Sequence, residues 1–344
     1  MRLTAFRHPR PRQGPRRPRV LPVFLPHHGC PGRCRFCSQR LQTGLAPAPL
    51  AEHHARLAAE LGRLSASNAP PLEIGFYGAT FTALPAPWPE RFVSLAATYM
   101  KTGLVERIRC STRPDACDPI LLARLRELGL SLVEVGVQSF DSAALARACR
   151  GHGPEAALAG CRAVLDSGLS LGLHLMPGLP GHTRAAFLRD IDTAISLAPE
   201  CVRLHPCLVL AGTPLADDFA AGAFRPWGLP ATITLLALAL PRLWSRSIEV
   251  IRVGVAPEEA FVTSILAGPW HPALGQRAAS LALYLHIRSR LAALGRPPRR
   301  LRLPSRHLSD VRGWRNELLP AWRKLGLAPQ ALIPWDHDFF LLET

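Results

Sequence analysis

The chain contains 344 residues, 48% of them hydrophobic, which excludes an intrinsically disordered protein and allows a sizeable buried core. No stretch reaches the roughly 18 to 20 consecutive apolar residues that a membrane span needs. The N-terminus carries arginines where a signal peptide needs an apolar core. The sequence therefore predicts a cytoplasmic protein with no membrane segment.

The formal net charge of +16 is concentrated at the two ends of the chain. Residues 1–51 contain ten arginines and no acidic residue, and residues 288–324 contain eleven basic residues and two acidic ones. Because its first residues are rich in proline and arginine, we expect residues 1–19 to form a basic, flexible tail. If the two basic ends flank one site, they would suit a polyanionic partner such as RNA.

Short apolar segments alternate with amphipathic segments along the chain. Continuous apolar runs are typical of parallel strands, and apolar residues three and four positions apart are typical of helices. The predicted strands cover residues 20–26, 72–78, 105–111, 132–139, 171–178 and 201–209. The predicted helices cover residues 50–65, 88–101, 117–129, 154–168 and 182–198. Six strand–helix units favour an α/β fold with a partial (β/α)6 barrel of the TIM type, short of the eight units of a complete one.

Three cysteines are grouped in the loop that follows the first predicted strand. Cys30, Cys34 and Cys37 have CxxxCxxC spacing, and the other six cysteines of the chain show no such grouping. This usage suits a reducing compartment with a metal site better than a disulfide framework. Functional groups of such barrels collect at the C-terminal ends of the strands. We therefore expect a metal centre at the barrel mouth.

Two kinds of metal centre fit three closely spaced thiolates. A structural zinc site needs four ligands, and His27 or His28 could supply the fourth. A 4Fe-4S cluster held by three cysteines leaves one iron open to a cofactor, and S-adenosylmethionine can fill that position through its amino and carboxylate groups. Reduction of the cluster would then release a 5′-deoxyadenosyl radical. The sequence favours the cluster, with zinc as the alternative.

The cysteine motif resembles the signature of the radical S-adenosylmethionine superfamily, with Phe36 at the position where an aromatic residue usually precedes the last cysteine. Other segments narrow the resemblance to the Elongator catalytic-subunit-like branch. These segments are FYGATFTAL, CSTRPD, VEVGVQSFD, RGH, GLHLMPGLPG, VRLHPCLVLAGTPL and EVIRVGV. Oxygen-independent coproporphyrinogen oxidases share the GVQS and RGH-like features more loosely.

The similarity runs from about residue 20 to residue 255 and continues through GPWHPALGQ and SRHLSDVRGWRN. It implies a radical S-adenosylmethionine core over residues 20–255 and an associated C-terminal α/β extension over residues 256–344 that caps the barrel. Within the extension, the pattern predicts a helix over 273–293 and a strand over 299–304. The Elongator subunit carries an acetyltransferase domain after this region, and here only about thirty residues remain, so the resemblance implies no acetyl transfer.

By position, the resemblance implies a binding site for S-adenosylmethionine. Gly78, Ala79 and Thr80 occupy the segment that binds the methionine amino group, although Ala79 stands where the family usually has a second glycine. Small residues at this position let the backbone approach a ligand closely.

Two later strands would complete that site. Gln138 corresponds to the ribose contact, and Arg150 to the partner of the methionine carboxylate, with which a guanidinium can form a charge-assisted pair. Met176 and Pro177 would line the adenine. The sequence assigns no catalytic residue.

Further polar and aromatic residues are candidates for the substrate side of the site. Those at the end of the third predicted strand are Ser111, Thr112, Arg113 and Asp115. Those in the extension are His271, Ser309, Asp310, Arg312 and Asn316. An RNA base turned into the barrel could stack on an aromatic ring, for which the candidates are Tyr77, Phe81 and Trp270.

The predicted function is that of a radical S-adenosylmethionine enzyme with an RNA, a tRNA base in particular, as candidate substrate. An electron donor such as flavodoxin or ferredoxin would reduce the cluster. A small substrate of the porphyrin type is the alternative within the enzyme class. A non-enzymatic zinc or iron–sulfur module that binds nucleic acid is the alternative outside it.

Overall fold

This computed structural model describes residues 3–11, 18–32, 34–39, 41, 48–255 and 259–344. Within these residues lie thirteen strands and twelve α-helices, each helix at least four residues long. The strands are β1 (Leu3–Phe6), β2 (Arg19–Phe24), β3 (Leu72–Tyr77), β4 (Val105–Thr112), β5 (Leu130–Gln138), β6 (Ser170–Leu175), β7 (Cys201–Leu204), β8 (Val209–Leu210), β9 (Glu249–Val253), β10 (Ile265–Ala267), β11 (Arg300–Pro304), β12 (Leu332–Trp335) and β13 (Phe340–Glu343). The helices are α1 (Leu50–Ala66), α2 (Trp88–Met100), α3 (Pro119–Glu127), α4 (Ser142–Arg147), α5 (Pro154–Asp166), α6 (Arg184–Ser196), α7 (Pro214–Ala220), α8 (Leu229–Trp244), α9 (Glu259–Val262), α10 (Leu274–Leu294), α11 (Leu308–Arg312) and α12 (Leu319–Lys324). None of these helices is both long and apolar enough to cross a bilayer.

A seven-stranded parallel sheet forms a curled half-barrel, with the strand order β2-β3-β4-β5-β6-β7-β9. The predicted α/β fold with a partial TIM-like barrel is confirmed. Six of the strands are those that the apolar runs predict. The seventh is β9, which the sequence showed only as part of a motif, and the last predicted strand is shorter because β7 ends at Leu204.

Alternation along the strands separates an apolar face from a polar one. Ile74 and Phe76 on β3, and Val133 and Val135 on β5, are buried in the core between the sheet and its helices. Because side chains on a strand point alternately to the two faces, the residues between them point into the half-barrel. One of these is Glu134, which is only 3% exposed although it is charged.

Polar caps begin several of the helices that cover the sheet. The side chains of Asp118, Asp141 and Thr183 each accept a hydrogen bond from the backbone N–H three residues later. These bonds satisfy donors that the first turn of a helix leaves unpaired. Each of these helices therefore begins at a residue set by local sequence, four to nine residues after the strand that precedes it.

A second, four-stranded sheet has the order β1-β13-β11-β12 and packs against the C-terminal half of α10. Part of the expected flexible tail belongs to it, since β1 pairs antiparallel with β13 and Phe6 stacks on Phe340 at 5.3 Å. Backbone pairing and a buried ring hold this segment in place. Residues 1, 2 and 12–17 of the tail, and residues 256–258 at the expected domain boundary, lie outside the described residues, and the division into three segments stays a prediction.

The described part of the N-terminal segment does not flank the barrel mouth. His8 contacts Trp244 at the end of α8, with ring centroids 5.7 Å apart, and Arg10 pairs with Asp310 of the C-terminal extension. Because α8 leads into the start of β9, Trp244 lies at the opposite end of the barrel from the strand C-termini. The condition that the two basic ends flank one site is therefore not met at the mouth by residues 3–11.

Candidate active site

A cavity of about 810 Å³ lies in the half-barrel, and every strand of the seven-stranded sheet contributes to its lining. The mouth residues are at strand ends, among them Gly78, Thr112, Gln138 and Met176. A second group lines the same cavity with charged and polar side chains; most of its members lie on the strands before the mouth residues, and His205 directly follows β7. We call this group the charged floor; its members are Tyr77, Arg109, Glu134, His174, Arg203 and His205.

The loop that carries the three cysteines, residues 27–39, is held against the end of β3. His27 N–H donates to Gly78 O at 3.1 Å, and Thr80 N–H donates to His28 O at 3.0 Å, which extends the pairing of β2 with β3 into the loop. Gly29 has a φ of 66°, and a Cβ there would lie 2.6 Å from Thr80 O. Only glycine fits this left-handed, close approach, so the sequence sets the loop against the expected cofactor segment.

The thiols of Cys30, Cys34 and Cys37 all line the cavity. Burial, together with the neighbouring Cys34 and Cys30, raises the pKa of the Cys37 thiol to about 12. The contribution of the two neighbours means that the three groups would repel one another as thiolates. In the described residues, no three His, Cys, Asp or Glu side chains are arranged around a single metal-ion position. A cluster does not require that arrangement, because each thiolate binds a different iron.

The histidines expected as fourth zinc ligands are placed elsewhere. His28 Nε2 is 2.8 Å from Ala48 O, and its ring contacts His53. Neither His27 nor His28 is among the described residues that line the cavity.

Arg150 connects the cysteine loop to β5. Its side chain is buried, Nη1 donates to Cys34 Sγ at 3.0 Å, and Nη2 donates to Gly136 O. Arg113 holds the backbone of Arg150, because Arg113 Nη2 donates to Arg150 O at 2.7 Å. The same Arg113 guanidinium pairs with Asp115 at 2.7 Å. The resulting positive charge beside the thiols suits an anionic cluster or a carboxylate.

Gln138 is held in an unusual backbone conformation with a φ of 69°. The carboxylate of Asp190, 2% exposed on α6, accepts hydrogen bonds from Ser139 Oγ at 2.7 Å and from Phe140 N–H at 2.9 Å. Gln138 O accepts from Met176 N–H at 2.8 Å. Left-handed non-glycine residues are strained and persist only when their surroundings fix them.

Sequence reasoning did not find Asp190. The available signal was its position on the apolar face of α6, between the buried Phe187 and Ala194. A carboxylate in such a place is rare unless it has partners.

Three buried polar atoms at the mouth have no partner among the described residues: Gln138 Oε1, Arg150 Nε and Arg113 Nη1. Buried polar groups are nearly always paired, so unpaired ones around one cavity indicate a polar ligand. Together with three thiols, this donor set fits a 4Fe-4S cluster and a zwitterionic cofactor. The residues present therefore fit the cofactors that the sequence implied.

The other predicted cofactor residues divide into two groups. Gly78, Ala79, Thr80 and Met176 line the cavity. Pro177 is not among its described lining residues, and its carbonyl accepts from Cys207 N–H at 2.9 Å.

The predicted substrate-side residues are more scattered. Of these, the residues that line the cavity are Ser111, Thr112, Arg113 and Tyr77. Phe81 is fully buried and stacks on Phe76 at 4.7 Å, so its ring is not available to a base.

The predicted residues of the extension lie away from the cavity. Trp270 and His271 line a small neighbouring cavity, and His271 contacts Trp314 at 4.6 Å. Asp310 accepts from His307 Nδ1 at 3.1 Å and from Arg10, which gives it a structural role. Ser309, Arg312 and Asn316 do not line the main cavity.

Apart from Tyr77, the residues of the charged floor were not predicted from the sequence. Glu134 accepts from Arg109 at 2.8 Å, from Arg203, and from the Tyr77 hydroxyl at 3.3 Å, and Arg109 also pairs with Glu73 at 3.2 Å. Burial alone would raise the pKa of Glu134, but Arg203 and Arg109 outweigh it and hold that pKa below its usual range. The signal in the sequence was the alternation of charged with apolar residues in VERIRC and LVEVGV.

Comparison with known proteins places the chain in a family. The family model described as "Radical SAM superfamily" matches residues 24–194, and the one described as "Radical_SAM C-terminal domain" matches residues 199–282. The tRNA uridine(34) acetyltransferase of Methanocaldococcus infernus is 28% identical over 275 residues, which cover 68% of this chain and 51% of that protein. Elongator complex protein 3 of Mus musculus is 30% identical over 200 residues, which cover 51% of this chain and 36% of that protein.

The fold agrees with a solved structure. That of archaeal Methanocaldococcus infernus Elp3 with an N-terminal deletion superposes with a TM-score of 0.59 at 22% identity, covering 80% of this chain and 64% of the other. The chain spans about half the length of the archaeal curated relatives it matches.

Proposed function

The chain belongs to the radical S-adenosylmethionine superfamily, and from this premise we propose that it modifies a base of a tRNA. It is an enzyme whose cofactors are a 4Fe-4S cluster and S-adenosylmethionine. The observation that carries the proposal is one cavity with a mouth of three thiols and unpaired polar atoms above a polar floor. A cofactor at the mouth leaves the floor for a substrate.

The chain's own residues have distinct parts in this arrangement. When bound, the cluster supplies the electron that cleaves S-adenosylmethionine and gives the 5′-deoxyadenosyl radical, which removes a hydrogen atom from the substrate. Cys30, Cys34 and Cys37 would hold the cluster. Arg150 and Gln138 would hold S-adenosylmethionine, with the segment 78–80 beside its amino group.

Positioning of these groups is built into their neighbours. Arg113 fixes the backbone of Arg150, and Asp190 fixes the turn that carries Gln138. Preorganised groups of this kind lose little freedom when a ligand binds, which favours both affinity and correct orientation.

Support for an RNA substrate comes from relatives and from charge. Curated relatives carry the name tRNA uridine(34) acetyltransferase, and this chain has a net charge of +16. In the C-terminal extension, Arg315 is exposed and available to phosphates. A single-stranded loop base can be turned out of its stack into a cavity, which is the usual way that proteins read RNA loops. The proposal extends to a flavodoxin or ferredoxin as the electron donor and to the cytoplasm as the compartment.

The test uses the full chain reconstituted under argon. With reductant and S-adenosylmethionine, we expect total tRNA lacking modifications to increase 5′-deoxyadenosine formation, and one nucleoside of the digested tRNA to change mass. Cys34→Ala serves as the inactive control. If tRNA neither binds at ~50 mM salt, where phosphate contacts are strongest, nor changes 5′-deoxyadenosine formation, the proposed substrate is wrong.

A further inference from the structure

Two histidines of the charged floor form a pair that the cofactor site does not use. His174 lies on β6, and His205 directly follows β7. The backbone N–H of His205 donates to Leu175 O at 3.0 Å. His174 Nε2 and His205 Nδ1 are 2.7 Å apart, and the rings are nearly perpendicular at 86°. Both side chains line the cavity. The pair is therefore a fixed unit on two neighbouring strands.

Both rings are uncharged near neutral pH. Burial and the nearby Arg203 guanidinium together lower the pKa of His174 to about 4, although Glu134 opposes them. Burial also lowers the pKa of His205 well below its usual value, with His174, Arg203 and Arg252 adding to the effect. A neutral imidazole has one N–H donor and one nitrogen acceptor. The pair therefore contains two protons, one of which is shared in the internal hydrogen bond.

The position of the shared proton decides what His205 offers to the cavity. If His174 Nε2–H donates to His205 Nδ1, the proton of His205 is on Nε2, which is then a donor. If His205 Nδ1–H donates, Nε2 is an acceptor. His205 Nε2 is buried and has no partner among the described residues, so a group that enters the cavity can satisfy it.

The neighbouring charges favour an uncharged group as the partner. The guanidinium groups of Arg109 and Arg203 are both paired with Glu134. Arg252 on β9 also lines the cavity near His205, but its side chain is exposed, so solvent screens its charge. A carboxylate or phosphate placed here would meet that glutamate and a neutral ring. An amide-like edge, with one donor and one acceptor, matches either state of the pair.

We propose that His205 Nε2 contacts the uncharged amide-like edge of a substrate base, and that His174 is the positioning residue that sets whether Nε2 donates or accepts. This inference rests on the proposed RNA-base substrate and adds the part of the cavity that recognises the base. The proposed contact is a binding contact of a histidine ring and involves no reaction step. Free nucleosides can therefore test it without turnover.

The test measures the binding of uridine, cytidine, adenosine and guanosine to the reconstituted full chain with S-adenosylmethionine present. His205→Asn keeps an amide close to the Nδ1 position but has nothing at the Nε2 position, whereas His205→Gln reaches the Nε2 position. We expect His205→Asn to bind the preferred nucleoside about three- to tenfold more weakly, as for the loss of one neutral hydrogen bond, and His205→Gln to recover part of the loss. His271→Asn is the matched control outside the main cavity and should bind as the unmodified chain does.

The outcomes separate this inference from the proposed function. A nucleoside that binds equally well to the unmodified chain and to His205→Asn overturns the base contact and leaves the proposed substrate class standing. A protein that binds no nucleoside overturns the contact, and if tRNA is then also without effect on 5′-deoxyadenosine formation, the proposed function fails as well.

Ring-nitrogen NMR tests the part assigned to His174. The ¹⁵N shifts of His205, identified by their loss in His205→Asn, should show a neutral ring, and the preferred nucleoside should move the Nε2 resonance. His174→Phe should change the tautomer of His205, which a purely structural role would not do. An unchanged tautomer would show that His174 does not set it.

Discussion

The mouth and the floor of the cavity are both polar and buried, yet they differ in how their groups are paired. At the mouth, Gln138 Oε1 and Arg150 Nε have no partner among the described residues. On the floor, Glu134 holds Arg109 and Arg203 in a closed set of ion pairs. A site that is to bind ligands keeps unsatisfied groups, whereas buried charges that support a sheet must satisfy one another. Substitutions should therefore affect cofactor binding at the mouth and stability at the ion pairs around Glu134, whereas His205 Nε2, a floor atom without a partner among the described residues, belongs with the binding groups.

The largest effect is expected at the mouth, for Cys34→Ala. Loss of one of three thiolate ligands should reduce the iron content from about four per chain to near zero and abolish 5′-deoxyadenosine formation, because no other described cysteine is grouped with the loop. Iron analysis and the absorbance near ~400 nm after reconstitution measure this. The control is Cys161→Ala, which removes a buried thiol of α5. Retention of about four irons by Cys34→Ala would contradict the assignment of the three ligands.

On the floor, Glu134→Gln should destabilise the fold. It removes the carboxylate that pairs with Arg203 and one of the two that pair with Arg109, which keeps Glu73. Breaking a buried pair in this way costs about 3–5 kcal/mol in the free energy of unfolding. Denaturant unfolding of the apoprotein measures it. Since the pKa of Glu134 is lowered in the folded state, its stabilising effect is present above the unfolded pKa and is lost as the pH falls through the folded pKa.

The control for Glu134→Gln is Glu60→Gln, which breaks the exposed pair of Glu60 with Arg63. Solvent screens that pair, so unfolding should change little. Equal effects of the two substitutions would remove the distinction between the floor and an ordinary surface pair.

A smaller and more selective effect is expected for Arg150→Lys. The charge remains, but the planar fork that can pair with a carboxylate is lost, so S-adenosylmethionine should bind about tenfold more weakly with the iron content unchanged. Calorimetric titration of the reconstituted protein measures it, with Arg147→Lys on the exposed face of α4 as control. Gln138→Ala should cause a lesser loss. Unchanged affinity in Arg150→Ala would show that Arg150 does not hold the cofactor.

An effect that develops only at acid pH concerns a second buried polar cluster, outside the barrel. Burial, together with His286, His307 and Arg10, lowers the pKa of His8 to about 3, although Asp310 opposes them. A histidine whose folded pKa is lowered destabilises the fold as the pH falls below the unfolded value of 6.5, by at most about 1.4 kcal/mol per pH unit.

His8→Phe should therefore reduce the loss of stability between pH 6.5 and pH 4, measured by denaturant unfolding at several pH values. The variant also removes a ring that contacts Trp244, so the slope against pH, and not the stability at one pH, is the relevant quantity. An identical slope in both proteins would show that His8 is protonated without cost.

Local sequence determined much of the molecule. The apolar runs predict six of the seven barrel strands, and the CxxxCxxC spacing with Gly29 places three thiols on one loop after β2. Such features depend on residues close together in the chain, so propensity and spacing suffice to find them. The roles of Gln138, Arg150 and Met176 came from a resemblance, and they stay predictions that the substitutions above can test.

Tertiary structure decided the rest. Asp190 supports Gln138 from 52 positions away, and the residues of the floor meet only because β3 to β7 lie side by side in one curled sheet. Likewise, β1 is a strand because β13, at the other end of the chain, supplies its hydrogen-bond partners. A sequence shows that a charged residue alternates with apolar ones, but the partner that makes its burial tolerable is fixed by strand order and register. Burial of a charge without that partner would cost more than a domain can offset, so pairing across the fold determines these positions.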